Sequence, residues 1–136
     1  MNVDQLTQQL QCDPLFMKNV VRWETMPPRE AHYAPFPEAL DARLQPVLAR
    51  RGVHQLYTHQ AHAVREVLAG RDIVVVTPTA SGKTMCYNLP VLSAILKNED
   101  ARALYLFPTK ALSADQVSEL YELIEEMGVD IKTYTY

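Results

Sequence analysis

The sequence predicts an α/β fold in which short parallel strands alternate with amphipathic helices. Three observations predict it. Ile73–Val76 is an unbroken β-branched run, the pattern of a strand buried on both faces of a parallel sheet. Helical periodicity returns three times in the last eighty residues, each time next to a short apolar run. The run at 73–76 also passes through a loop of small residues straight into one of those helical patterns.

Taken in order, the first fifty residues differ in texture from the rest. Seven of the 9 prolines lie between Pro14 and Pro78, including Pro27-Pro28 and the Tyr33-Ala-Pro-Phe-Pro stretch, so the arm is expected to be largely extended and wrapped on something. Glu38–Arg50 predicts a short helix with Leu40, Leu44, Val47 and Leu48 on one side, ended by Gly52. Tyr57, Ala61, Val64 and Leu68 share a helix face, with Thr58 placed to cap it and Gly70 to close it. Met85, Leu89, Leu92 and Leu96 mark a second helix, which Pro90 should bend because it removes one hydrogen bond. Leu104–Phe107 reads as a second strand. Val117, Leu120, Ile124 and Met127 form a third helix closed by Gly128, and Ile131–Tyr134 begins a third strand. Right-handed crossovers would join such strands in parallel.

Composition narrows the classes. With 136 residues, 48% of them hydrophobic and 21% charged, the chain has the size and balance of one soluble domain. Its 13 basic and 16 acidic residues give a net charge of −3, so any contact with a polyanion must come from local groups. Cys12 and Cys86 match no metal-ligand spacing and read as free thiols of a reducing compartment. The polar start and the lack of a run of about 18 apolar residues argue against a leader or a membrane span, which makes the expected location cytoplasmic.

The loop Thr77-Pro-Thr-Ala-Ser-Gly-Lys-Thr84 carries the chemistry. A strand that ends in small residues and reopens as a helix offers free amides and the positive end of a helix dipole to an anion. Thr79, Ala80 and Ser81 supply loop amides, and Gly82 lets the backbone approach phosphate oxygens. Lys83 reaches the β- and γ-phosphates, and Thr84 offers its hydroxyl to Mg²⁺. The strict pattern G-x-x-x-x-G-K-[ST] requires Gly where this chain has Thr77.

The same eight residues resemble the nucleotide loop of the DEAD/DEAH-box helicases of superfamily 2, in which Thr or Ala replaces that first Gly. Pro108-Thr109-Lys110 follows the second apolar run as helicase motif Ia does. The resemblance implies that Pro108, Thr109 and Lys110 grip a nucleic-acid backbone, a corner whose amides, hydroxyl and charge suit phosphate without base readout. Leu56-Tyr-Thr-His-Gln60 resembles the Q-motif region, where Gln60 would read adenine through its amide. Tyr57 either covers the base or belongs to the core. Gln116 resembles a recurring helicase position or is a polar helix face, while His59 and His62 read as surface residues. The arm, around Trp23–Ala31 and Phe36–Leu40, resembles the opening of the MrfA-like DNA repair helicases.

The resemblance implies a partial, three-layer RecA-like domain: residues 1–52 an N-terminal arm with short helices, and 53–136 the front half of the first ATP-binding domain. Its ligands would be ATP and Mg²⁺; its partners, nucleic acid, with DNA expected and held through its backbone, and the rest of the helicase motor, with no membrane. The sequence does not distinguish DNA from RNA. Turnover further requires carboxylates on a DExH-like strand and an Arg from a second motor domain. After Lys83 the acids are Glu99, Asp100, Asp115, Glu119, Glu122, Glu125, Glu126 and Asp130, none of them placed behind an apolar strand in that way. The isolated chain is therefore expected to be inactive. Two other readings stand beside it: a non-catalytic remnant, and a P-loop small-molecule kinase, which would need lid arginines where only Arg102 follows Thr84.

Overall fold

In the computed structural model, which describes residues 2–27, 30–78 and 81–136, the chain divides into two compact units, Met1–Glu30 and Ala31–Tyr136. Pro28 and Arg29 of the arm, and the loop residues Thr79 and Ala80, lie outside the described residues.

The first unit carries two short helices in its first seventeen residues, and no helix is described in the remainder. Helix α1 (Val3–Cys12) starts at a reciprocal cap: Asn2 Oδ1 accepts from Gln5 N at 2.9 Å, and Gln5 Oε1 accepts from Asn2 N at 3.1 Å. Helix α2 (Pro14–Met17) follows at once, with Asp13 Oδ1 accepting from Leu15 N and Phe16 N. Pro14 sits at its first position, where a missing N–H costs nothing. Both signals are local, and the proline count masked them. Neither helix buries a residue.

The second unit contains α3 (Leu44–Arg50), α4 (Thr58–Leu68), α5 (Thr84–Lys97) and α6 (Lys110–Met127). It also holds the sole ladder among the described residues, β1 (Tyr33–Ala34) antiparallel to β2 (Leu56–Tyr57), with Tyr33 opposite Tyr57. Helix α3 begins six residues later than its apolar pattern suggests. Asp41 supplies the local alternative, taking the N–H and guanidinium of Arg43 at 2.9–3.0 Å and so holding a turn ahead of the helix. Gly52 (φ 78°) ends α3 and Gly128 (φ 67°) ends α6, as their positions predict.

Helix α4 starts at Thr58, which is its first helical residue and not its cap. The cap position is Tyr57, whose N–H is taken by Gln60 Oε1 at 2.9 Å. Helix α5 runs unbroken through the buried Pro90. One core joins the unit: Leu40, Leu44, Val47 and Leu48 from the α3 region, Leu56, Ala61 and Val64, then Leu89 and Leu92 of α5, with Leu123 and Ile124 of α6.

The parallel sheet is the main difference from expectation. Segments 73–76, 104–107 and 131–134 are not assigned as strands. Their side chains still alternate: Ile73 and Val75 are half-buried, whereas Val74 and Val76 are 91% and 88% exposed. Leu104 and Leu106 are exposed to 82% and 84%, with Tyr105 and Phe107 half-buried between them. That is the period of an extended chain with one face covered. A strand is completed by a neighbour's amides and carbonyls, so extended segments without pairing in register make no ladder. The β-branched run at 73–76 therefore has one face partly covered and the other in solvent.

Candidate nucleotide-binding loop

The loop is held from the α4 side by two consecutive carbonyls. His59 Nε2 lies 3.0 Å from Ser81 O, and because a carbonyl can only accept, Nε2 carries the hydrogen. Gln60 Nε2 donates to Gly82 O at 2.9 Å while its Oε1 serves Tyr57 N. In a trans peptide the C=O and the following N–H point opposite ways. Drawing Ser81 O and Gly82 O toward α4 thus turns the amides of Gly82 and Lys83 away from it. Gly82 has φ +70°, and a Cβ there would stand 2.5 Å from Gln60 Nε2, so conformation and space both require glycine. His59 is consequently a half-buried loop contact; the surface role expected of it holds for the exposed His62.

Lys83 turns into the loop. Its ammonium donates to Thr77 O at 2.9 Å, Pro78 O at 2.8 Å and Thr77 Oγ1 at 3.2 Å, with Ser81 Oγ at 3.5 Å. Thr77 Oγ1 and Ser81 Oγ are 2.5 Å apart and bridge the two ends of the bend. The Thr that departs from the strict pattern therefore closes the loop with its own side chain. Thr84 opens α5 and donates its hydroxyl hydrogen to Gln116 Oε1 at 3.2 Å. These residues fit a phosphate ligand: a cation already sits inside the bend at the positive end of a fourteen-residue helix.

Around Tyr57 the structure shows a row of rings. Tyr57 stacks with Tyr33 at 5.1 Å and with His59 at 5.8 Å, and the residue is 38% exposed. Gln60 is 3% exposed, with one donor and one acceptor of its amide committed.

The second corner lies at the start of α6. Pro108, Thr109 and Lys110 are exposed, and Thr109 Oγ1 caps the helix by accepting from Leu112 N at 3.3 Å. Lys110 is the first helical residue.

Sequence reasoning passed over Tyr87, Asn88 and Tyr105. Tyr87 donates to Gln116 Oε1 at 2.5 Å and meets Tyr105 edge-on at 5.8 Å. Tyr105 donates to the buried Asn88 Oδ1 at 3.0 Å, and burial pushes its phenol up to about 12. A Tyr-Asn pair set in the apolar face of a helix was the available signal. Cys86 is buried and its thiol is raised by burial, as suits an inert packing residue. Among the described residues, no group of three or more His, Cys, Asp or Glu could hold a metal ion, and no helix is long and apolar enough to cross a membrane.

The bend holds an inward lysine at a helix N-terminus and is followed by a capped corner on the next helix. The chain belongs to the DEAD/DEAH box helicase family, which it matches over residues 57–136. It is 59% identical over 119 residues to the uncharacterized ATP-dependent helicase YprA of Bacillus subtilis (strain 168), and 34% identical over 104 residues to the ATP-dependent helicase hrq1 of Schizosaccharomyces pombe (strain 972 / ATCC 24843). These matches cover 88% and 76% of this chain but 16% and 10% of those relatives. A crystal structure of the DUF1998 helicase MrfA bound to DNA and AMPPNP superposes on the whole chain with a TM-score of 0.83 at 53% identity, covering 19% of MrfA. The chain thus spans less than a fifth of the length of these relatives.

Proposed function

We propose that this chain is the ATP- and nucleic-acid-binding front of an ATP-dependent DNA helicase of the MrfA-like branch, working in the cytoplasm. Lys83 carries the reading: its ammonium is held by carbonyls inside the bend, where the tail of a nucleoside triphosphate would replace them as its partner. The amides of residues 79–84 and the α5 dipole would receive the remaining phosphate charge. Thr84 would give its hydroxyl to Mg²⁺, which supplies charge neutralisation at the β- and γ-phosphates when bound. Gln60 keeps one amide hydrogen and one lone pair for adenine, and Tyr57 would flank the base. Pro108, Thr109 and Lys110 would hold a DNA backbone, a reading supported by the DNA found with MrfA.

In the complete protein, the extended segments 73–76, 104–107 and 131–134 become strands of a three-layer, RecA-like parallel sheet. Residues 1–52 form the arm and 53–136 the first part of that domain. The DExH acids and the second motor domain would come from the rest of the helicase, so these residues alone do not turn over ATP.

Lys83→Ala in the full-length helicase tests the reading. AMPPNP affinity measured by calorimetry should fall by at least about tenfold, the worth of one charge-assisted contact, and DNA-stimulated ATP hydrolysis should disappear. Unaltered affinity for AMPPNP would refute the assignment.

A further inference from the structure

The function proposed above uses the Thr84 hydroxyl but leaves open what aims it. A hydroxyl has one hydrogen and two lone pairs. To face a cation it must offer a lone pair, so its hydrogen needs an acceptor elsewhere. That acceptor is Gln116: its Oε1 takes the Thr84 hydroxyl at 3.2 Å and the Tyr87 hydroxyl at 2.5 Å.

Both donors lie on α5, three residues apart and therefore on one face, while Gln116 lies on α6. Both hydroxyls meet the amide oxygen of Gln116, which has a lone pair for each, so both donate to it at once. Tyr87 is in turn braced by Tyr105, whose hydroxyl is anchored on the buried Asn88. The acceptor is thus held by packed groups, and Gln116 itself is half-buried.

We infer that Gln116 is a positioning residue: it takes the hydroxyl hydrogen of Thr84 so that the oxygen presents a lone pair to the magnesium ion of a bound nucleoside triphosphate. It touches neither metal nor nucleotide and acts only through Thr84. Placed six residues into α6, it also ties the first turn of α5 to the helix that begins at Thr109–Lys110. The inference rests on the nucleotide reading of the loop.

The test uses full-length helicase and AMPPNP binding by calorimetry, with magnesium and with EDTA. Gln116→Leu removes the acceptor, Gln116→Asn withdraws it by one methylene, and Gln116→Glu retains an acceptor oxygen. The Leu and Asn variants should lose about tenfold in affinity when magnesium is present, the usual cost of losing a partner that orients a metal ligand. Their affinity in EDTA should match the parent, and the Glu variant should recover the magnesium-dependent gain. Equal losses with and without magnesium would mean a merely structural role and overturn the inference, as would full magnesium dependence in Gln116→Asn, which also decides the matter should Gln116→Leu fail to fold. Lys83→Ala, run alongside, separates the two claims: if it binds AMPPNP normally the nucleotide reading fails, whereas if it loses binding and the Gln116 variants behave as the parent, only the positioning role fails.

Discussion

Thr77 and Gly82 show how single residues set the loop. Thr77 occupies a position that the strict phosphate-loop pattern gives to glycine, and it uses the extra atoms to reach Ser81 Oγ and the Lys83 ammonium. Gly82 has no such latitude. Its φ of +70° is costly for any residue with a Cβ, and the space a Cβ would need is filled by an amide pinned at both ends. Gly82→Ala in the full-length protein should therefore displace Gln60 from Gly82 O and cost about 1–2 kcal/mol locally. Hydrogen exchange at the amides of residues 57–60 should quicken in that variant, and unchanged protection there would show that the latch has no such role. The need for glycine at 82 was legible in Ser-Gly-Lys-Thr; its partner, Gln60, was not, because the two are brought together only by the packing of α4 beside the loop.

At the scale of elements, α5 is the member on which the others are fastened. Arg43 grips Asp41 with Nε and Nη2 of one guanidinium edge and also donates to Leu96 O, while Asp41 N donates to Ser93 Oγ at 2.9 Å. This clamp ties the turn ahead of α3 to the last turns of α5. The Arg43 guanidinium holds the Asp41 carboxyl down at about 2, against an ordinary carboxylate near 3.8. The lowered value fixes the sign: the clamp contributes fully above pH ~4 and is lost as pH falls toward 2. Its contribution is modest because the Arg43 side chain is 55% exposed and screened by water. Hydrogen exchange at the Leu44–Arg50 amides, corrected for intrinsic rates, should be about fivefold faster in Asp41→Asn than in the parent at pH 5. The difference should vanish near pH 2, and a gap that persists there would contradict the clamp. Farther along, Arg50 donates to Glu126 O and Arg51 takes the Glu126 carboxylate, closing α3 onto the end of α6. The helices of this unit were readable from their periodicity and their closing glycines. The start of α3 was not, because the Asp41 turn competes with the helical pattern only once Arg43 and Ser93 are in place.

For the whole molecule, the decisive feature is a surface. Val74, Val76, Leu104 and Leu106 stand in solvent on extended segments without a ladder, and Tyr134 is 73% exposed on the third. Unpaired backbone and apolar side chains together are a template for association. Residues 1–136 expressed alone should associate with increasing concentration in sedimentation velocity and bind a hydrophobic dye. The full-length helicase, with those faces covered, should do neither. A monomeric, dye-silent 1–136 chain would mean that these segments need no partner.

The sequence by itself determined the order of the helices after the arm, the stops at Gly52, Gly70 and Gly128, and the family. These are local facts, set by periodicity, backbone conformation and a short run of residue types. Only the tertiary structure decided that Gln60 and His59 hold the loop by its carbonyls, and that Gln116 receives Thr84. It also decided that three strand-like runs remain unpaired, because a strand depends on a neighbour in register and no single segment can specify that from its own residues.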